Sequence, residues 1–258
     1  MTETFEALRN FRDCGGDPTI DGRIFRKGKL YRSAQHAELS ERDLDKLSAL
    51  GISAIVDLRR PDEREKCPSR RWPGFAGRVV EHFGLEGIAL PPHLAAFADA
   101  GSSAAAARSA MLEIYKGFPY DPMLIELYRD FFALLAETDG AVLIHCAAGK
   151  DRTGFGVALA QHLAGMNRDA IVAQFLKTNQ SDLISEATMA AMKANAMRDG
   201  VAFSDDAIVT VLTVEPEYLD ASFAVIERRN GSIDEYLHDV LGVTPARYEA
   251  IRERLIEG

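Results

Sequence analysis

Short apolar runs alternate with amphipathic segments along most of this chain. The runs predict six strands, at residues 8–11, Ile24–Phe25, 30–32, Ile52–Asp57, 79–83 and Ala141–His145. Two of these strands, with the sequences ISAIVD and AVLIH, are apolar over nearly their whole length. Strands of this kind are typical of a parallel sheet that is covered on both faces.

Helical patterns lie between and after the strands. Helix starts are predicted at Ser40, at Asp121-Pro122, near Arg152, at Ser232 and at Thr244-Pro245. Between Pro91-Pro92 and about Tyr115 the chain is rich in alanine and predicts a further helix. The alternation predicts an α/β fold, with a mainly parallel central sheet flanked by helices and a helical C-terminal third. No linker rich in Pro, Gly or Ser interrupts the pattern, so we expect residues 1–258 to form a single domain.

Composition excludes several classes of protein. The formal net charge of −9 argues against binding to nucleic acid and against attachment to anionic membranes by general basicity. No apolar run approaches the ~20 residues that a bilayer requires, and the first residues show no secretory signal. We therefore expect no integral membrane segment and a cytoplasmic location, with export by a route without a cleaved signal left open.

The chain has three cysteines, Cys14, Cys67 and Cys146, at irregular spacing. Their odd number and the lack of a C-x-x-C pair fit free thiols in a reducing compartment, and they predict no metal site. Cys67 is either a resolving thiol for Cys146 or a lone cysteine.

One stretch, IHCAAGKDRTG at residues 144–154, combines several features that suit phosphate binding. Cys146 follows a buried strand and precedes a helix, at the sheet edge where open α/β proteins bind ligands. The small residues after it allow backbone amides to surround an anion, and the helix that begins near Arg152 adds its positive end. The guanidinium of Arg152 is a planar, bidentate donor that matches phosphate oxygens.

The positive field of such a loop also favours the thiolate form of a cysteine, which is the nucleophilic form. The spacing Cys-x5-Arg therefore predicts attack of Cys146 on phosphorus, a cysteinyl-phosphate intermediate and its hydrolysis. We expect this hydrolysis of a phosphate monoester to use no metal and no cofactor.

The stretch resembles the signature HCxxGxxR[ST] of the cysteine-dependent tyrosine and dual-specificity phosphatases. HCAAGKDRTG is more similar still to an atypical bacterial branch with HCxxGKDRTG. The segments LYRSA at 30–34, VDLR at 56–59 and GSIDEYLHDVLGV at 231–243 extend the resemblance over most of the chain. The resemblance implies a phosphotyrosine-phosphatase-like fold, with Cys146 as nucleophile and Arg152 as phosphate binder.

Further site residues follow from the same resemblance. It implies that loop amides, including those of Ala147, Ala148 and Gly149, hold the phosphate. It also implies that Thr153 hydrogen-bonds the cysteine sulfur and that His145 supports the loop. The implied substrates are phosphotyrosine in proteins, with phosphoserine or phosphothreonine and phosphoinositides as further candidates.

Three residues near the loop have two interpretations each. Lys150 either adds positive potential at the loop mouth, as a substrate-binding residue, or is a solvated charge. Asp57 and Arg59 end a strand at the same sheet edge as Cys146, so Arg59 could contact substrate and Asp57 could orient Arg152. The alternative is that Asp57 and Arg59 form a structural ion pair.

The general acid is the least obvious assignment. The residues Trp72-Pro73-Gly74 resemble the WPD loop of tyrosine phosphatases, but Gly74 stands at the acid position and the segment lies far upstream of Cys146. Asp151 is the only carboxylate certain to be near the phosphate, so we expect it to be the acid, with Asp57 as the next choice. The objection is that Arg152 and the helix start should favour its ionised form.

Two further predictions, one about a segment and one about the function, each have an alternative. Residues 91–120 are long, Ala-rich and bounded by prolines, which predicts either a lid or wall over the site or a helix packed elsewhere. A catalytically weak module that binds phosphorylated partners is the alternative function. The intact cysteine, arginine and Thr153 argue against it.

Overall fold

A five-stranded sheet lies at the centre of the computed structural model, which describes residues 4–83, 103–181, 183–198 and 203–258. In chain order its strands are β1 Arg12–Asp13, β3 Leu30–Ser33, β4 Ile52–Asp57, β5 Arg78–Glu81 and β6 Ala141–His145. Across the sheet they lie in the order β1-β3-β6-β4-β5. β1 is antiparallel to β3, and the other neighbours are parallel. Two short strands, β2 Ile24–Phe25 and β7 Ile256–Glu257, form a separate antiparallel pair.

Helices make up most of the remaining described chain. They are α1 Glu41–Ser48, α2 Pro61–Lys66, α3 Ala104–Gly117, α4 Pro122–Glu137, α5 Asp151–Leu163, α6 Arg168–Leu176, α7 Glu186–Arg198, α8 Asp205–Leu212, α9 Pro216–Asn230, α10 Ile233–Asp239 and α11 Pro245–Leu255. Short 3-10 turns follow α3 at Phe118–Tyr120 and α6 at Lys177–Gln180. The predicted caps are present, since the side chains of Ser40, Asp121, Ser232 and Thr244 each accept a backbone N–H of the first helical turn.

Both faces of the sheet are buried, as the apolar runs predict. Along β6, Val142 and Ile144 pack into the larger core with α4 and α5, whereas Leu143 packs into a smaller core with Leu44 and Leu47 of α1. The alternation follows from the two-residue period of a strand. The predicted α/β fold with a mainly parallel sheet is therefore confirmed.

Some predicted boundaries are wrong by a few residues. No strand forms at residues 8–11, because Asn10 takes a positive φ of 53° and the extended chain begins only at Arg12. The strand predicted at 79–83 runs instead over Arg78–Glu81 and ends where its register with β4 ends. Helix α5 begins at Asp151, one residue before the predicted start.

The parallel strands β3, β6 and β4 end side by side. Ser33 and Asp57 are the register partners of His145, the last residue of β6. Cys146 comes next in the chain, so the loop that follows it starts at the carboxyl edge of the sheet. Of the helices in the described ranges, none combines the length and apolarity needed to cross a membrane.

Candidate functional site

Residues outside the loop between β6 and α5 hold the loop in place by donating hydrogen bonds to its backbone carbonyl oxygens. The carbonyl of Ala147 accepts from the backbone N–H of Gln35 at 3.0 Å. The side-chain amide of Asn10 donates to the carbonyls of Ala148 and Gly149 at 3.1 and 2.9 Å. In a planar trans peptide the C=O and the next N–H point in opposite directions. The N–H groups of Ala148, Gly149 and Lys150 therefore point away from these anchors.

A buried arginine completes the outer anchorage. Arg32, at 2% exposure on β3, donates from Nη2 to the carbonyls of Gly149 at 2.7 Å and Lys150 at 3.3 Å. Gly149 has a φ of +63°, and a Cβ there would lie 2.2 Å from the carbonyl oxygen of Ser33. Only glycine fits this position, because the left-handed backbone and the contact with β3 both exclude a side chain.

Arg152 is fixed by a carboxylate and a carbonyl. Its Nη1 and Nη2 donate to Oε2 and Oε1 of Glu63, each at 2.7 Å, and Nη1 also donates to the carbonyl of Leu58 at 3.1 Å. These three bonds use both hydrogens of Nη1 and one hydrogen of Nη2. A guanidinium has five N–H donors, and the described residues place no hydrogen bond on the N–H of Nε or on the second hydrogen of Nη2, which together form a bidentate pair.

The Arg152–Glu63 pair is largely shielded from water, with side-chain exposures of 15% and 18%. Burial opposes the charged form of Glu63, but the bonds and charge of Arg152 outweigh it and lower the pKa of Glu63 to about 2. Burial likewise opposes the charge on Arg152, and Glu63 nevertheless raises the pKa of that arginine above its ordinary value. Both groups are therefore ionised throughout the physiological range.

Lys150 and Asp151 form a second pair on the loop. The ammonium of Lys150 donates to Oδ1 of Asp151 at 2.7 Å and to the carbonyl of Thr213, just after α8, at 3.1 Å. The hydroxyl of Tyr115, from α3, donates to the same Oδ1 at 2.8 Å. Lys150 is only 4% exposed, so it is not the solvated charge of the alternative interpretation.

Asp57 and Arg59 lie behind the loop rather than in it. They form an ion pair of 2.7 Å with side-chain exposures of 1% and 0%. Arg59 also donates to the carbonyl of Cys67 at 2.7 Å and to the hydroxyl of Ser69 at 2.6 Å. This arrangement favours the structural ion pair over a contact with substrate, and the carboxylate that orients Arg152 is Glu63 rather than Asp57.

His145 belongs to the same buried layer. Its ring stacks on His36 with 4.1 Å between centroids, and its Nε2 lies 3.6 Å from Oδ2 of Asp57. Burial lowers the pKa of His145 to about 4, although the charge of Asp57 opposes the shift. Burial also opposes the charge of Asp57, but His145 and Arg59 lower its pKa to about 2. A neutral His145 and an ionised Asp57 therefore support the loop from behind.

Thr153 differs from what the resemblance implies. Its side chain is fully buried in the first turn of α5, and its hydroxyl makes no hydrogen bond within the described part of the chain. The bond to the sulfur of Cys146 is therefore not present in this structure.

The loop forms one wall of a cavity of about 490 Å³. The predicted residues on this wall are Cys146, Ala147, Ala148, Lys150, Asp151 and Arg152. The opposite walls are mainly apolar and include Met111, Ile114 and Phe118 from the region of α3, Met123 and Leu124 from α4, and Met192, Val211 and Leu212 from α7 and α8. Of the predicted lid or wall segment, residues 103–120 include side chains that line this cavity, whereas 91–102 lie outside the described residues.

Sequence reasoning missed the partners of the loop residues. Glu63, Tyr115, Arg32 and Asn10 contact the loop from 36 to 139 positions away in the chain. Arg32 offered a signal, because it lies near the end of a predicted strand, β3, which the structure pairs in parallel with β6. Within the described ranges, no three His, Cys, Asp or Glu side chains group closely enough to hold a metal ion.

Comparison with known proteins gives a consistent result. A model described as the tyrosine phosphatase family matches residues 3–257. A candidate tyrosine-protein phosphatase of Cupriavidus necator is 35% identical over 249 residues, which cover 94% of this chain and 85% of the relative. The triple specificity protein phosphatase PtpB of Mycobacterium tuberculosis is 31% identical over 278 residues. The match covers 96% of this chain and 96% of PtpB. A tyrosine-protein phosphatase of Nostoc commune is 29% identical over 62% of this chain and 51% of its own length.

Proposed function

The chain belongs to the tyrosine phosphatase family, and we propose that it hydrolyses phosphotyrosine through a cysteinyl-phosphate on Cys146. One observation carries this proposal. Cys146 lies on the cavity wall with a loop whose carbonyls are bound from outside and with Arg152, on two of whose N–H groups the described residues place no hydrogen bond. A phosphate bound there would meet positive partners on several sides and the sulfur on one.

The first chemical step transfers the phosphoryl group to the enzyme. The thiolate sulfur of Cys146 attacks phosphorus, and the bond from phosphorus to the tyrosine oxygen breaks. The protonated carboxyl of Asp151 gives its proton to the departing oxygen, so that tyrosine leaves as a neutral phenol. Arg152 and the loop amides stabilise the charge that spreads over the equatorial oxygens.

The second step releases inorganic phosphate. Water attacks the phosphorus of the cysteinyl-phosphate, and the carboxylate of Asp151 takes the proton that the water loses. The bond between sulfur and phosphorus breaks with its electron pair on sulfur, which restores the thiolate. Atoms and protons balance over the two steps, and neither step draws on a metal or cofactor.

The cavity walls support an aromatic monophosphate as substrate. Met111, Ile114 and Phe118 offer apolar surface to a phenyl ring. Among the described residues, the cations that line the cavity are Arg60, Lys150 and Arg152, and these are paired with Asp62, Asp151 and Glu63. An inositol ring with several phosphates would therefore find few uncommitted cations, and phosphotyrosine in a protein is the better match.

Replacing Cys146 with serine tests the proposal. We expect Cys146→Ser to lose turnover and to keep phosphate binding, because a hydroxyl is not ionised near pH 7 while the loop amides remain. The variant should bind a phosphotyrosine peptide more tightly than an inositol trisphosphate in calorimetry. Acid quenching of the wild-type enzyme during turnover should recover phosphocysteine.

Cys67→Ser is the matched control, because Cys67 is not among the residues that line the cavity. It should turn over phosphotyrosine like the wild type under reducing conditions. Turnover by Cys146→Ser within about tenfold of wild type would contradict the nucleophile assignment. Stronger binding of the inositol phosphate would contradict the substrate assignment.

A further inference from the structure

Asp151 is approached by two donors on the same oxygen. Tyr115 and Lys150 donate to Oδ1 at 2.8 and 2.7 Å, and the described residues place no hydrogen bond on Oδ2. An oxygen that accepts two hydrogen bonds, one from an ammonium, is the poorer place for a proton. The proton of the acid form therefore belongs on Oδ2.

Tyr115 is itself held rigidly. It is fully buried, and its ring lies 4.9 Å from that of Phe118, 5.2 Å from Tyr218 and 6.1 Å from Phe175. Its backbone carbonyl accepts from the hydroxyl of Ser222, on α9, at 2.6 Å. The hydroxyl of Tyr115 therefore has little freedom to move, and it defines where Oδ1 of Asp151 can lie.

The protonation state of the Tyr115 phenol also allows it to donate a hydrogen bond. Burial, together with the charge and hydrogen bond of Asp151, raises the pKa of Tyr115 well above its ordinary value. The hydroxyl keeps its proton at physiological pH, and the carboxylate is the acceptor. Lys150 is a weaker constraint on direction, because an ammonium on a flexible stem can donate from several positions.

We propose that Tyr115 is a positioning residue for the general acid, holding Oδ1 of Asp151 so that Oδ2 presents the proton to the leaving group. The inference rests on the proposed function, in which Asp151 protonates the departing oxygen. Tyr115 acts through Asp151 and takes no proton itself. The same hydrogen bond links α3, which lines the cavity, to Asp151 of the loop.

Leaving-group dependence tests this role more directly than a loss of rate. Tyr115→Phe keeps the ring and removes the hydroxyl, so the packing around α3 stays. On phenyl phosphate, whose leaving group needs a proton, we expect kcat/KM, which reports phosphoryl transfer to Cys146, to fall about tenfold. On p-nitrophenyl phosphate, whose leaving group departs without one, we expect kcat/KM within about twofold of wild type.

Tyr218→Phe is the matched control. Tyr218 is a buried neighbour of Tyr115, and its hydroxyl makes no hydrogen bond within the described residues. This variant should hydrolyse both substrates like the wild type. An equal effect of the Tyr115 and Tyr218 variants, or an equal loss on both substrates, would overturn the positioning role.

The variant Asp151→Asn distinguishes a failure of the positioning role of Tyr115 from a failure of the proposed general-acid role of Asp151. We expect Asp151→Asn to lose about 10²–10⁴-fold in kcat/KM on phenyl phosphate and much less in kcat/KM on p-nitrophenyl phosphate. Adding Tyr115→Phe to that variant should then change nothing further. A selective loss in Asp151→Asn without one in Tyr115→Phe would overturn the inference alone. Equal losses on both substrates in Asp151→Asn would overturn the acid assignment and the inference together.

Discussion

Among single residues, Arg152 shows how one guanidinium uses two of its edges differently. The end formed by Nη1 and Nη2 is taken by Glu63, and the remaining hydrogen of Nη1 by Leu58. In the proposed function, the edge formed by Nε and Nη2 binds two phosphate oxygens. Under that proposal Glu63 holds the arginine without being displaced by phosphate.

This division predicts the effect of Glu63→Gln. An amide accepts only one of the two N–H groups and turns an NH2 toward the other, so Arg152 loses its fixed orientation. We expect kcat/KM to fall by about 10–100-fold, equally on phenyl and p-nitrophenyl phosphate, because phosphate binding rather than proton transfer is affected.

Glu113→Gln is the matched control for this change. Glu113 also lines the cavity, but it pairs with the exposed Lys116. Steady-state kinetics should place this variant within about twofold of wild type, since exposed pairs contribute little. A Glu63→Gln enzyme with unchanged kcat/KM would show that Arg152 is oriented without the carboxylate.

At the element scale, α5 is buried on almost every side, and it needs small residues to fit. Gly156 lies in the middle of α5, where an added Cβ would come 2.7 Å from the ring of Tyr128. That ring cannot shift easily, because its hydroxyl donates to the carbonyl of Arg152 at 2.7 Å. Gly117, the last residue of α3, has helical dihedrals and nothing within 4 Å of an added Cβ.

The two glycines should respond to alanine in opposite directions. Gly156→Ala should lower the free energy of unfolding by about 1–3 kcal/mol, because overpacking exceeds the gain of about 1 kcal/mol in helix propensity. Gly117→Ala should raise it by about 0.5–1 kcal/mol. Urea unfolding followed by circular dichroism measures both. A stabilised Gly156→Ala would show that α5 and α4 can separate to accept a methyl group.

At the scale of the whole molecule, buried charges behind the loop make stability depend on pH. The pKa of Asp57 and that of Glu63 are lowered to about 2 from ordinary values of 3.8 and 4.5, and the pKa of His145 is lowered to about 4 from 6.5. In each case the unfolded chain binds protons more readily than the native one. The stability contributed by these groups is therefore present above the ordinary pKa and is lost as pH falls through the native pKa.

Acid unfolding should show this dependence in two ranges. Stability should begin to fall below about pH 6.5 because of His145, and fall further between about pH 4.5 and 2 because of the two carboxylates. In Glu63→Gln the second fall should be smaller by an amount on the order of 3 kcal/mol. Thermal unfolding at a series of pH values measures both enzymes. Parallel curves for variant and wild type would contradict the lowered pKa of Glu63.

Features that depend on neighbouring residues in the chain could be predicted from the amino-acid sequence alone. The strands Ile52–Asp57 and Ala141–His145, the helix caps, and a loop with Cys146 and Arg152 six positions apart follow from local patterns. The family also follows from this loop, because its small residues and its charges are contiguous. Such features need no knowledge of which distant segments meet.

The side chains that reach the loop from distant parts of the chain could be identified only from the folded structure. Glu63 rather than Asp57 orients Arg152, and Tyr115 reaches Asp151 across 36 positions. The strand order places Asp57 next to His145, although Asp57 was the partner of Arg152 that the sequence suggested. Contacts of this kind depend on how strands and helices cross in space, and a pattern along the chain does not contain that information.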